Sequence, residues 1–154
     1  MEQDDTRRLL VLYNCLYKET DEVYRDLARH FGLPDCAFWI LYLLRETSRV
    51  YTQSALSDTL SLSKQTVNSA LKNLEAEGYL CLETPAENRR NKCVRLTPAG
   101  EGLAAKTVDR VLAMEQKAFA HFSAQEQADF VRLNQKHVRQ LRAQADQILA
   151  QPRP

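Results

Sequence analysis

Glycine is scarce in this chain, at four residues in 154, which argues against a sandwich or barrel with its many tight turns and leaves a mostly helical class. No stretch approaches the roughly 18 uninterrupted apolar residues of a membrane span. The opening Met1-Glu2-Gln3-Asp4-Asp5 is acidic where a secretory signal is basic, so the chain is expected to be cytoplasmic. A net charge of +1 denies it a global basic field, and any claim on nucleic acid must rest on where its basic residues cluster. The four cysteines, Cys15, Cys36, Cys81 and Cys93, form no CxxC pair and have no histidine at ligand spacing, so neither a zinc site nor a disulfide framework is signalled. His30, His121 and His137 stand apart, and there is no Ser-His-Asp set, glycine-rich phosphate loop or metal cluster. Neither an enzyme nor a bound cofactor is expected.

What the sequence does hold is helical periodicity. Asp4, Asp5 and Thr6 offer N-caps for a first helix, along which Leu9, Leu12, Tyr13, Leu16, Tyr17, Tyr24 and Leu27 recur at spacings of three, four and seven. Gly32 supplies a left-handed C-terminal residue, and Pro34 with Asp35 suits the start of a second helix over about Pro34 to Glu46. Its run Phe38-Trp39-Ile40-Leu41-Tyr42-Leu43-Leu44 is apolar on every face, which predicts the centre of the core. Thr52 caps a short helix through Leu60, and Ser63 caps another that Gly78 ends, a helix-turn-helix pattern.

Past Gly78 the period becomes two. Leu80 and Leu82 alternate with Cys81 and Glu83, then Val94 and Leu96 with Cys93 and Arg95, so two strands form a hairpin whose long polar tip, Thr84 to Asn91, is a wing. Thr97-Pro98 then opens a helical stripe through Leu103, Val108, Val111, Leu112, Met114, Ala118 and Phe119. Ser123 and Glu126 make a capping box for a last helix carrying Phe130, Leu133, Val138, Leu141 and Ile148. A small core cannot cover three long amphipathic arms, so the terminal helices are expected to pair across a two-fold axis. The expected organisation is a dimerisation helix over 1–33, a winged helix-turn-helix lobe over 34–100, dimerisation helices over 101–150 and a disordered tail over 151–154. The fold class is mainly α with a small β wing.

A recognition helix places its first turns in the major groove, where side chains meet base edges and phosphates. Here that helix begins Ser63-Lys64-Gln65-Thr66-Val67-Asn68-Ser69. Lys64 could reach guanine or phosphate, Gln65 and Asn68 could pair with adenine, and Thr66 could meet a thymine methyl, while Val67, Leu71 and Leu74 supply the buried face. Thr52, Gln53 and Ser54 on the preceding helix, with Ser63, Ser69 and Lys72, complete the candidate contacts. Arg89, Arg90, Lys92 and Arg95 crowd the hairpin, where a tip arginine suits a narrow minor groove and its neighbours suit phosphate. The rival reading is a winged-helix module for protein contacts.

These motifs, taken in order, resemble the MarR family of winged-helix regulators across nearly the whole chain. The matching segments are Gly32-Leu33 before an apolar helix, Thr52-Gln53-Ser54-Ala55-Leu56, Thr66-Val67-Asn68, Leu74-Glu75 with Gly78-Tyr79-Leu80, and Leu96-Thr97-Pro98 with Gly100. The resemblance implies a homodimer with interleaved terminal helices that binds palindromic double-stranded DNA and acts as a repressor relieved by a small molecule. It also implies that Arg90 is the wing-tip arginine. The family usually has an acidic residue two positions earlier, where this chain has Asn88, with Glu87 alongside.

Family members often hold small aromatic or anionic effectors between the dimerisation helices and the DNA-binding lobe. Tyr13, Tyr17, Tyr24, Phe38, Trp39 and Tyr42 are the candidate lining residues, and plain core packing is the alternative. Cys15 and Cys36 read as small hydrophobes, whereas Cys81 and Cys93 alternate with core residues and are expected to face outward, leaving open a thiol-based redox response.

Overall fold

The computed structural model describes residues 2–47, 49–84 and 92–152, with side chains from Asp4 onward. The expected wing tip, including Arg89 and Arg90, and the end of the expected tail lie outside the described residues. The chain divides into two compact units, Met1–Leu112 and Ala113–Pro154.

The order of elements is α1 (Glu2–His30), α2 (Asp35–Glu46), β1 (Tyr51–Thr52), α3 (Gln53–Leu60), α4 (Lys64–Ala76), β2 (Leu80–Glu83), β3 (Cys93–Leu96), α5 (Pro98–Lys106), α6 (Val108–Phe119) and α7 (Ala124–Leu149). The fold is mainly helical with a small antiparallel sheet ordered β1-β3-β2. Leu82 of β2 stands opposite Val94, and Tyr51 of β1 flanks Val94 from the other side.

In the first unit α2 runs between two apolar clusters. Ala37, Ile40 and Leu43 pack with Tyr51, Leu56, Val67, Leu71, Leu74, Leu80 and Val94, the core of the helix-turn-helix and its sheet. Phe38, Leu41 and Tyr42, from the opposite face, pack with Ala28, Ala104, Val108 and Val111. An all-round apolar helix has this placement because both faces must leave water, and each large side chain so buried contributes roughly 1.5–3 kcal/mol.

The sequence boundaries shift at three places. α1 starts at Glu2, before the expected caps, and Asp4 and Asp5 fall in its first turns, where negative charge suits a helix N-terminus. The stripe after Pro98 is broken at Thr107, which takes φ −122 and ψ −89 and donates its hydroxyl to the Leu103 carbonyl at 2.7 Å. A β-branched residue with a back-bonding hydroxyl competes with helical continuation at that point. The two-residue strand β1 is unannounced in the sequence.

In the second unit α7 carries the expected capping box. Ser123 Oγ accepts from the Glu126 amide at 3.3 Å, and the Glu126 carboxylate accepts from the Ser123 amide at 2.8 Å. The amide bond, aided by the Ser123 hydroxyl, holds the Glu126 carboxyl below its ordinary range. A depressed folded value means that this contribution is complete above the ordinary glutamate pKa and fades as pH falls through the folded one. Glu126→Gln is therefore expected to remove part of the acid-induced loss of stability below about pH 4.5, read as a flatter melting-temperature profile between pH 6 and pH 3. An unchanged profile would remove Glu126 from the acid response. None of the described residues of α7 is buried, and Phe130, Leu133, Val138 and Leu141 are all at least half exposed. Leu9, Leu12 and Leu16 of α1 are likewise exposed.

Candidate nucleic-acid interface

Two helices and the turn between them set the surface. Thr52 Oγ1 accepts from the Ala55 amide at 3.1 Å and starts α3. Ser61 closes α3 in the left-handed region at φ 53, and the Leu62 amide donates back to the Ser57 carbonyl at 3.1 Å. Ser63 Oγ then accepts from the Thr66 amide at 3.1 Å and lies 2.8 Å from the Thr66 hydroxyl. Thr52, Ser63 and Thr66 therefore have hydroxyls engaged in fixing helix starts.

With Val67, Leu71 and Leu74 anchored in the core, α4 turns Lys64, Gln65, Thr66, Ser69 and Lys72 outward, and Asn68 is half-buried beside them. On α3, Ser54 is exposed and Gln53 partly so. Most helices of the chain place an acid in the first turn: Asp35 in α2, Glu101 in α5, Asp109 in α6 and Glu126 in α7. Neither α3 nor α4 has one. Their N-termini thus keep the partial positive charge and outward amides that suit a phosphate, and Lys64 adds a full charge at the start of α4.

Among the described residues, the hairpin offers less free positive charge than its composition suggests. Lys92 is exposed at the base of β3, but Arg95 is held by Glu83 at 2.6 Å. Arg49, which sequence reasoning passed over, is exposed just before β1 with its guanidinium 5.5 Å from the Tyr51 ring centre. A lone arginine in a polar connection gives no pattern by which to find it.

A clamp fixes the lobe's support. Arg45, at the end of α2, reaches Asp109 through Nε at 2.8 Å and Nη2 at 2.6 Å, and its Nη1 pairs with Glu101. The Asp109 bonds hold the guanidinium still further above its ordinary range. With about a third of both Arg45 and Asp109 exposed, solvent screens part of this pairing, and Arg45→Met is expected to cost about 1–2 kcal/mol in urea unfolding. A change below a few tenths would show the clamp to be energetically idle.

Of the candidate ligand residues, Phe38 is fully buried and Tyr42 nearly so, whereas Tyr13 and Tyr17 stand exposed on α1. Phe38 is a core residue and gives a ligand no surface here. Of the six candidates, Tyr24 and Trp39 line a groove of about 460 Å3, with Asp21, Arg25, Asp35, Cys36 and Leu62. Burial pushes the Cys36 thiol up in pKa, which makes it a poor nucleophile.

A capped helix pair with a polar outer helix, backed by a three-stranded hairpin sheet, defines a winged helix-turn-helix protein. Residues 31–91 match the model of the MarR family, so the stretch from the end of α1 into the hairpin is similar to that family. The fold resembles that of the S. aureus MepR–DNA complex, with 21% identity over 84% of this chain and 95% of that one and a TM-score of 0.64. It also resembles the transcription regulator MarR from Oenococcus oeni PSU-1, at 17% identity over 85% and 98% of the two chains and a TM-score of 0.66. A third likeness is to the PcaV transcriptional regulator from Streptomyces coelicolor in complex with its natural ligand, at 20% identity over 80% and 89% and a TM-score of 0.58. No curated protein matches the sequence at a significant level. No helix among the described residues is long and apolar enough to cross a membrane.

Proposed function

We propose that the chain is a transcriptional regulator that binds a palindromic operator as a homodimer in the cytoplasm and represses until a small aromatic or anionic effector releases it. The observation that carries the DNA reading is the outer face of α4, where Lys64, Gln65, Thr66 and Ser69 are exposed beside a helix N-terminus free of acid. Lys64 serves phosphate or guanine, and Gln65 and Asn68 serve adenine. Arg90, by the family pattern, and Lys92 serve the flanking minor groove and backbone.

The exposed apolar side chains along α1 and, separately, along α7 support a second copy as their cover, since an exposed apolar helix face marks an interaction surface. Two copies put two recognition helices on one duplex, which is why a palindrome is expected. The groove beside Trp39 supports the effector reading: its size suits a small molecule, and Tyr24 and Trp39 offer flat apolar walls, while Arg25 is paired with Asp21 at 3.1 Å.

Selection from randomised duplexes with the purified protein, followed by titration of the winner at several salt concentrations, tests the proposal. A two-fold sequence with nanomolar affinity and a steep salt dependence is the expected result. Binding to other proteins with no sequence preference on any duplex would replace this reading with a protein-contact module.

A further inference from the structure

Four side chains share the outer face of the β2–β3 hairpin. The register sets Cys81 opposite Arg95 and Glu83 opposite Cys93. Residues two apart on a strand point the same way, so all four lie together, away from the buried Leu80 and Val94. The Glu83–Arg95 ion pair at 2.6 Å spans one diagonal of this square and places its groups on that face. The other diagonal joins two half-buried thiols, Cys81 and Cys93. On the far side of Cys93 the register places Thr52, whose hydroxyl caps α3.

Diagonal neighbours in an antiparallel pair stand about 7–8 Å apart, with their Cβ atoms somewhat nearer. A disulfide needs Cβ atoms about 3.5–4.5 Å apart, so this pair is set too wide for one. A metal held in line between two thiolates fits better: two bonds of roughly 2.3 Å separate the sulfurs by about 4.6 Å, and a Cβ–Sγ bond at each end makes up the span. No group of three His, Cys, Asp or Glu that could hold a metal occurs among the described residues, and Glu83 is taken by Arg95. A tetrahedral zinc centre has too few ligands here. Soft thiolates select Cu(I), which accepts two of them.

The geometry points to a two-coordinate site for a Cu(I)-class cation on the outer face of the wing, held by the Sγ atoms of Cys81 and Cys93. Binding moves no electrons. Each thiol releases a proton and forms one sulfur–metal bond, so two neutral thiols and a monovalent cation become a complex of net charge −1 plus two protons. A negative charge then stands beside Thr52 and Arg95. Resting on the DNA reading above, the loaded wing binds the operator more weakly, because the new charge repels phosphate.

Anaerobic titration of the full chain with Cu(I) against the competing chelator bathocuproine disulfonate reads the site without DNA. The Cys15→Ser/Cys36→Ser chain is expected to hold one copper per chain, whereas Cys81→Ser and Cys93→Ser each weaken binding at least tenfold, with melts of the metal-free variants establishing that they are folded. A Cys81→Ser/Cys93→Ser chain that holds copper as tightly as the parent overturns the proposal, as does loss of binding in the Cys15→Ser/Cys36→Ser chain. Duplex affinity is then measured with and without one equivalent of copper. A severalfold loss in the parent, absent in Cys93→Ser, is expected, and an unchanged affinity overturns the coupling. A metal-free chain that binds no duplex refutes the DNA reading instead, while the copper titration still decides the site.

Discussion

Gly100→Ala is expected to destabilise the protein by about 3 kcal/mol or more. A Cβ built at Gly100 would lie 1.8 Å from the Tyr79 carbonyl oxygen and 2.8 Å from its carbon. That oxygen is backbone, and it is fixed because it accepts from the Thr97 amide at 3.1 Å. Thr97 in turn donates its hydroxyl to the Gly78 carbonyl and accepts from the Gly100 amide, so the first turn of α5 is stitched to the turn that ends α4. Nothing in this knot can retreat cheaply. Gly102, two residues further along the same helix, has open space where its Cβ would go. Gly102→Ala is expected to be neutral or to stabilise by roughly 0.5–1 kcal/mol. Urea unfolding of the two variants checks the pair, and a loss below about 1 kcal/mol for Gly100→Ala, the low end for overpacking, would show that the close approach is absent in solution.

The second large effect concerns binding. Lys64→Ala combined with Gln65→Ala is expected to weaken operator affinity about a hundredfold, from one lost phosphate or guanine contact and one lost base pairing worth about 1–3 kcal/mol each. Both side chains are exposed and neither packs in the core, so the melting temperature should hold within a degree or two. Lys106→Ala, an equal loss of charge on exposed α5 surface, serves as control. Equal affinity for the double variant and the parent would move recognition away from α4.

Much of this was legible in the residues because the physics is local. A helix apolar all round has to be central, and α2 is. Small hydroxyl residues at Thr52, Ser63, Thr97 and Ser123 mark helix starts because orphan amides need an acceptor nearby, and each makes that bond. The acid-free first turns of α3 and α4 could also have been read from the sequence, once the helix starts were known.

What escaped depends on tertiary neighbours. The partners of Arg45 stand 56 and 64 residues along the chain, where no periodicity reaches. β1 is two residues long and exists only because β3 offers it an edge. An aromatic stripe does not say which rings face a groove, and that is why Phe38 was grouped with Trp39 although one is core and the other groove wall. Arg95 counted as wing charge by composition, but Glu83 on the neighbouring strand claims it.

The central claim is that α4 and the wing read one duplex from a paired protein, and the most direct test is the affinity of the purified chain for its selected duplex between 50 and 200 mM salt. A dimer engaging about six phosphates should lose roughly a thousandfold across that range, with far weaker binding to a scrambled duplex throughout. A stable monomer, or a protein that ignores every duplex at the lowest salt, would contradict it.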